Sequence, residues 1–367
     1  MNSIVKKTLK LLEGTEEKIS KTHALIGLDG FVDSIIRVVD KRHSQDSFDP
    51  IQTIEAFSKR ISRAAGKSAN LELVCEKQKL GGNGPIMANA LSIYGVKVRY
   101  IGNLGHPEIH PVFADFARRC DVISIAEPCQ TDALEFDDGK LMLTKSMPLQ
   151  DVNWENLVRR IGEDKLLKCF QDSAFVALNN WTQLVHMSDI WAEIQKHIAP
   201  KLTGEKRTIF FDLADPEKRT PEDVKRGLGL ISGFEKHFRA ILGLNESEAD
   251  QIAHALGIPH EAKDAGLAQL ADEIRDKLKI SVVVIHPREY AVAADPEGET
   301  LVDGPFCAKP MISTGAGDHF NAGFSLGRIL DGSLEASLQI GVATSGFYVR
   351  TGKSPSVAEL RKFLKEL

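Results

Sequence analysis

The sequence predicts an α/β fold built on a largely parallel, buried sheet. Three observations carry that expectation. From about residue 153, helical stretches alternate with the short apolar runs "SAFVALNNW" (173–181), "RTIFFDLAD" (207–215), "FRAILGLNE" (238–246) and "ISVVVIHP" (280–287). Strands covered by helices on both faces read as such runs. The chain has 367 residues and 43% hydrophobic content, enough to bury one large core. Hairpin-like pieces near 31–48, 70–80 and 123–145 fit a parallel sheet poorly, so they predict a small, discontinuous β lid over one end of a single domain spanning 1–367.

The elements follow in order. "MNSIVKKTLKLLEGTEEKIS" places Ile4, Val5, Leu9, Leu11 and Leu12 on one side at helical spacing, which predicts an amphipathic helix packed on the body. "HALIGLDGFVDSIIRVVD" (23–40) reads as strand, turn and strand. Residues 49–68 read as a helix, with Asp49 as N-cap and Pro50 at its first position. "NLELVCEKQKL" (70–80) alternates like a strand. "GGNGPIMANALSIYG" (81–95) is a glycine turn feeding a helix that stops at Gly95, and "VKVRYIGNLG" (96–105) is a strand. Residues 110–120 predict a short helix, and 134–143 a hairpin turning at Asp138-Gly139.

Composition narrows the function. Net charge is −5, so no basic field attracts nucleic acid. No segment has ~18 uninterrupted apolar residues, which predicts no membrane span. Cys75, Cys120, Cys129, Cys169 and Cys307 are odd in number and form no C-x-x-C pair, as expected of reduced thiols in a cytoplasmic protein. "AGKS" (65–68) and "TGKS" (351–354) resemble the end of a P-loop, but Ile61 and Phe347 occupy the position of its first glycine.

"MISTGAGDHFNAGF" (311–324) carries the chemistry. Glycines allow close backbone approach, and free N–H groups at a helix start bind anions. With a phosphate held by Gly315, Ala316 and Gly317, Asp318 beside it could take the proton of an attacking hydroxyl. The bland reading is a glycine turn with Asp318 as a helix cap.

"STGAGDHFNAGF" and "GGNGPIMANALSIYGVKVRYIGNLG" resemble the two signatures of the ribokinase-like (PfkB) family of sugar and nucleoside kinases. "GLDGFVD", "GLNESEAD" and "VRTGKSPSV" follow the family order, and the likeness covers roughly residues 23–365. The resemblance implies a ribokinase-like sandwich: a central, mostly parallel sheet flanked by helices, with a small β lid. It implies an ATP-dependent kinase acting on a small sugar, with a nucleoside kinase or a non-catalytic sugar-binding regulator as alternatives. By resemblance Asp318 is the catalytic base and Gly315, Ala316 and Gly317 the anion hole. Asp33, Gly81, Gly82 and Asn83 face the acceptor. Asn245 and Glu248 hold Mg²⁺ mostly through water, and Thr314 and Gly352 lie near the nucleotide. A homodimer is among the assemblies left open.

Three departures stand out. Ile86 replaces the usual asparagine of the first signature. Ile312-Ser313 replaces an Asp-Thr pair whose aspartate helps hold a monovalent cation, so cation activation is not expected. "HPREY" (286–290) replaces a glycine-rich turn beside the nucleotide.

Overall fold

Fourteen strands divide between two sheets in a computed structural model that describes residues 3–259 and 266–367. In chain order they are His23–Leu28 (β1), Phe31–Arg42 (β2), Phe48–Pro50 (β3), Leu73–Gly81 (β4), Lys97–Gly102 (β5), Asp121–Ser124 (β6) and Cys129–Phe136 (β7). Gly139–Lys145 (β8), Phe175–Leu178 (β9), Arg207–Asp212 (β10), Phe238–Leu244 (β11), Val282–Ile285 (β12), Tyr290–Asp295 (β13) and Gly298–Asp303 (β14) complete the set.

The large sheet has nine strands in the order β14-β13-β12-β11-β10-β9-β1-β5-β6. It is parallel from β12 to β6, and the β13–β14 hairpin closes one edge antiparallel. The four apolar runs that predicted this sheet are β9, β10, β11 and β12, and the interior strands β9 and β12 are buried along their whole length. Separate apolar cores lie on the sheet's two faces. The N-terminal helix Ser3–Leu11 buries Val5 on one of them, with Ile4, Leu9 and Leu11 packed alongside. No helix among the described residues is long and apolar enough to cross a membrane.

The second sheet runs β3-β2-β7-β8, with β4 also paired to β2. This is the small β lid. β6 joins the large sheet instead, so the third lid piece begins at Cys129 rather than near 123.

One expected helix start moves, and one hairpin is new. Asp49 and Pro50 do not start a helix. They belong to β3, which pairs only with β2, and an edge strand tolerates the missing proline N–H. The helix is Ile54–Ser62, and the Thr53 side chain accepts from Ala56 N at 3.1 Å to cap it. It lies on the lid, where Ile51 and Phe57 bury against Ile36, Val38, Leu134 and Phe136 as a core of their own. The β13–β14 hairpin was not anticipated.

Candidate active site

The C-terminal ends of parallel strands deliver polar groups to one edge of the large sheet, where open α/β folds bind ligands. Asp29 follows β1, Asn179 and Asn180 follow β9, Asp212 ends β10, Asn245 follows β11 and His286 follows β12. Two helices begin against this edge, Asn83–Tyr94 and Ala316–Ile329.

Asp318 sits in the first turn of Ala316–Ile329 and is only 7% exposed. Its Oδ1 has no hydrogen-bond partner among the described residues. Burial, then the nearby Asp212 and Asp29 carboxylates, push its pKa well above the usual range, while Asn83, near its carboxyl group, works against the rise. Gly315 precedes the helix at φ 90°, a left-handed conformation that glycine adopts without strain. Of the first amides, Ala316 N donates to Ser313 O at 3.1 Å, while Gly317 N and Asp318 N meet no acceptor among the described residues. Ile86 lies against Gly315 and presents aliphatic surface to the turn.

Asp33 stands on β2 opposite Lys79 and Thr131, with its carboxylate directly over the Gly81 backbone. Burial raises its pKa, and the Lys79 charge works against the rise. Gly82, at φ 100°, turns the chain into Asn83–Tyr94. The structure thus brings Asp33, Gly81, Gly82, Asn83 and Asp318 together beneath the lid.

Asn245 and Glu248 form a reciprocal capping box. Asn245 N donates to Glu248 Oε2 and Glu248 N to Asn245 Oδ1, both at 2.9 Å. Glu248 Oε1 accepts from Asp215 N at 2.9 Å, beyond the left-handed pair Ala214 and Asp215. The helix-start reading of this motif is therefore realised geometrically. It leaves further lone pairs on both carboxylate oxygens for water.

A cleft of about 580 Å³ opens beside the Gly315 turn. Its walls include Asn245, His286, Arg288, Phe306, Ala316 and Gly317. The His286 ring packs on Phe320 at 4.6 Å, and burial lowers its pKa to about 4, so it is neutral at ordinary pH. Thr314 and Gly352 do not line the cleft. Thr314 O accepts from the Tyr348 hydroxyl at 2.9 Å, and Gly352 terminates the helix Leu334–Thr351.

A family model described as prokaryotic ketohexokinase matches residues 5–367. The chain belongs to the prokaryotic ketohexokinase family. A ketohexokinase of Haloferax volcanii is 30% identical over 353 residues, covering 96% of this chain and 93% of that one. Among solved structures, Arabidopsis thaliana ribokinase complexed with ribose and ATP has a TM-score of 0.65 at 14% identity, covering 94% of this chain and 98% of that one. A variant of phosphofructokinase-2 from Escherichia coli has a TM-score of 0.64 at 15% identity, with the same coverages of 94% and 98%. These two likenesses show the ribokinase fold. As a prokaryotic ketohexokinase family member, the chain is an ATP-dependent carbohydrate kinase that acts on a small sugar and uses a divalent metal.

The residues present suit such a metal. Asp212, Glu248 and Asp318 are all raised by burial, and Asp212 and Asp318 further by neighbouring carboxylates, a repulsion that a cation relieves. No group of three metal-binding side chains gathers among the described residues, which suits an ion held largely by phosphates and water.

Sequence reasoning missed Asp212, Asn180 and Asn321, and assigned Asp29 no role. Asn321 Nδ2 donates to Asp212 Oδ2 at 2.7 Å, and Asn180 Nδ2 to Asp29 Oδ2 at 2.8 Å. For Asp29, Asn180 and Asp212 the available signal was positional, a polar residue at or just past the C-terminal end of a buried strand of a parallel sheet, whereas Asn321 lies within the helix Ala316–Ile329.

Proposed function

We propose that this enzyme transfers the γ-phosphoryl group of ATP to a hydroxyl of a ketohexose, with Asp318 as general base. ATP occupies the cleft beside the Gly315 turn. The acceptor lies between Asp33, Gly81, Gly82 and Asn83 under the lid. Asp318 takes the hydroxyl proton as the oxygen bonds to phosphorus, and the bond from phosphorus to the β,γ-bridging oxygen breaks to release ADP. The Gly315–Ala316–Gly317 segment donates N–H groups to the charge that develops. Mg²⁺, near Asn245 and Glu248, would neutralise charge on the phosphates. The lid excludes water, which otherwise competes as acceptor.

One observation carries this reading. Asp318 is buried with an unpartnered oxygen, on a helix whose free amides border the cleft. The ketohexose comes from the Haloferax volcanii relative's name and the family description. The buried, unpaired thiols of Cys120, Cys129 and Cys169 support a cytoplasmic setting, and a single kinase domain with a discontinuous lid is the domain reading.

ATP consumption measured across ketohexoses, other sugars, sugar acids, sugar phosphates and nucleosides tests the substrate. Highest turnover with a ketohexose is expected. Preference for a nucleoside would overturn the reading.

A further inference from the structure

His319, next to the proposed base, is 3% exposed and fully bonded. Its Nδ1 lies 2.7 Å from Gly315 O and its Nε2 2.7 Å from Ser354 Oγ. A carbonyl only accepts, so Nδ1 carries the proton and Nε2 accepts from the serine. Burial lowers the pKa of the ring to about 4, consistent with this neutral form. The ring stacks on Tyr348 with centroids 3.6 Å apart and planes 12° from parallel. The Tyr348 hydroxyl donates to Thr314 O at 2.9 Å.

These two side chains therefore grip the carbonyls on either side of Gly315. A trans peptide is planar, and its C=O and N–H point to opposite sides. Tyr348, by holding Thr314 O, turns the Gly315 N–H to the side away from its hydroxyl. Gly315 O accepts from the His319 backbone N at 3.1 Å and from its Nδ1 at 2.7 Å; the side chain adds the shorter bond to the helix's own, and together they fix the next plane, whose Ala316 N closes onto Ser313 O at 3.1 Å. Gly315 has no side chain and sits at φ 90°, so no side-chain packing of its own adds to the backbone bonds that restrain these planes.

We infer that His319 and Tyr348 are positioning residues that clamp the two peptide planes flanking Gly315 and so pre-organise the anion hole for phosphoryl transfer. Through Ser354 the clamp also ties this turn to the segment after the helix Leu334–Thr351. The inference rests on the reading of this turn as the anion hole. Its effect belongs to the transition state, because ground-state nucleotide binding draws on the whole cleft.

The test uses His319→Leu, which keeps bulk and loses both hydrogen bonds, and His319→Asn, which retains an N–H donor near the Nδ1 position. Tyr348→Phe removes only the hydroxyl. For each, kcat is measured with affinity for ADP alone and for ADP with aluminium fluoride and sugar, a mimic of the transferring phosphoryl group. His319→Leu should lose about 10–10²-fold in kcat and similarly in affinity for the mimic, less than removal of a hole donor itself, with ADP affinity held within about threefold. His319→Asn should recover most of the loss.

Wild-type kcat and mimic affinity in His319→Leu would overturn the inference, as would equal impairment in the leucine and asparagine variants. If His319→Leu does not fold, Tyr348→Phe decides: lowered kcat with intact ADP affinity supports the clamp, and unchanged kcat refutes it. Asp318→Asn is run in parallel. An active Asp318→Asn sinks the reading of the site. An inactive one beside a fully active His319→Leu sinks only the clamp.

Discussion

Two helices start at the same edge of the large sheet, each after a glycine in the left-handed region, yet their N-termini differ. At Asn83–Tyr94 the first turn is closed. Asn83 N and Gly84 N donate to Asp29 at 3.0 and 2.9 Å, Pro85 has no N–H, and Ile86 N donates to Gly82 O at 3.1 Å. At Ala316–Ile329 it is open: among the described residues Gly317 N and Asp318 N find no acceptor, and Asp318 keeps an unpartnered oxygen. The local sequence signals, G-G-N-G-P and G-A-G-D, look alike as anion-binding turns. A carboxylate some fifty positions upstream makes one of them structural. Asp29 already fills the place an external anion would take, with its pKa raised by burial to about 6.

The open start is where the largest effect is expected. Asp318→Asn keeps the turn and its donors but loses the proton acceptor, so kcat should fall about 10²–10⁴-fold. Nucleotide affinity measured by calorimetry should hold or tighten slightly, because a negative charge beside the phosphates is gone. Near-normal turnover would reduce Asp318 to a helix cap.

The closed start should respond in stability. Asp29→Ala strands the buried Gly84 amide, the part-buried Asn83 amide and the Asn180 side chain, at a cost of about 2–4 kcal/mol in urea unfolding. An Asp29→Ala protein as stable as the parent would mean these donors find other acceptors, and the contrast between the helix starts would fail.

A smaller effect tests the electrostatics between them. Asp318 must be ionised to act as base, so turnover rises with pH through its pKa. The pKa is raised by burial first and by Asp212 next. Asp212→Asn should therefore move the acidic limb of the kcat/KM profile to lower pH. A shift upward, or none, would show that the two carboxylates are not coupled.

The least change is expected from potassium. Met311 N donates to Val349 O at 2.8 Å, and the Arg350 guanidinium bonds both Gly346 O and Phe306 O at 2.8 Å. The segment before the Gly315 turn is thus fastened by the protein, and Ile312 offers a cation no oxygen side chain. Turnover in potassium and in a bulky organic cation should agree closely, and strong activation by potassium would contradict this.

The parts legible in the sequence were those with local signals. The strands β9 to β12 showed as short apolar runs, and Gly95 stops its helix at φ 102°, as expected for a left-handed cap. Asp318 and the glycines before it were likewise marked by their own neighbours. Asp212 and Asn180 were not, because each is a single polar residue at or just past the end of a strand, and only the parallel register brings it to the site. Asp49 and Pro50 resembled a helix start because the residues suit both roles, and pairing with β2 decided against it. The β13–β14 hairpin was hidden because burial removes the alternation of "AVAA", leaving only the Asp295–Gly298 turn as a mark.

The most direct test of the contrast is amide NMR on protein labelled with ¹⁵N at its 29 glycines, titrated with Mg²⁺ and ADP and then an ATP analogue, without sugar. The account predicts large shifts and new exchange protection at Gly315 and Gly317, while Gly84, already bonded to Asp29, changes little. Shifts at Gly84 as large as those at Gly317, or no response at Gly315 and Gly317, would contradict it.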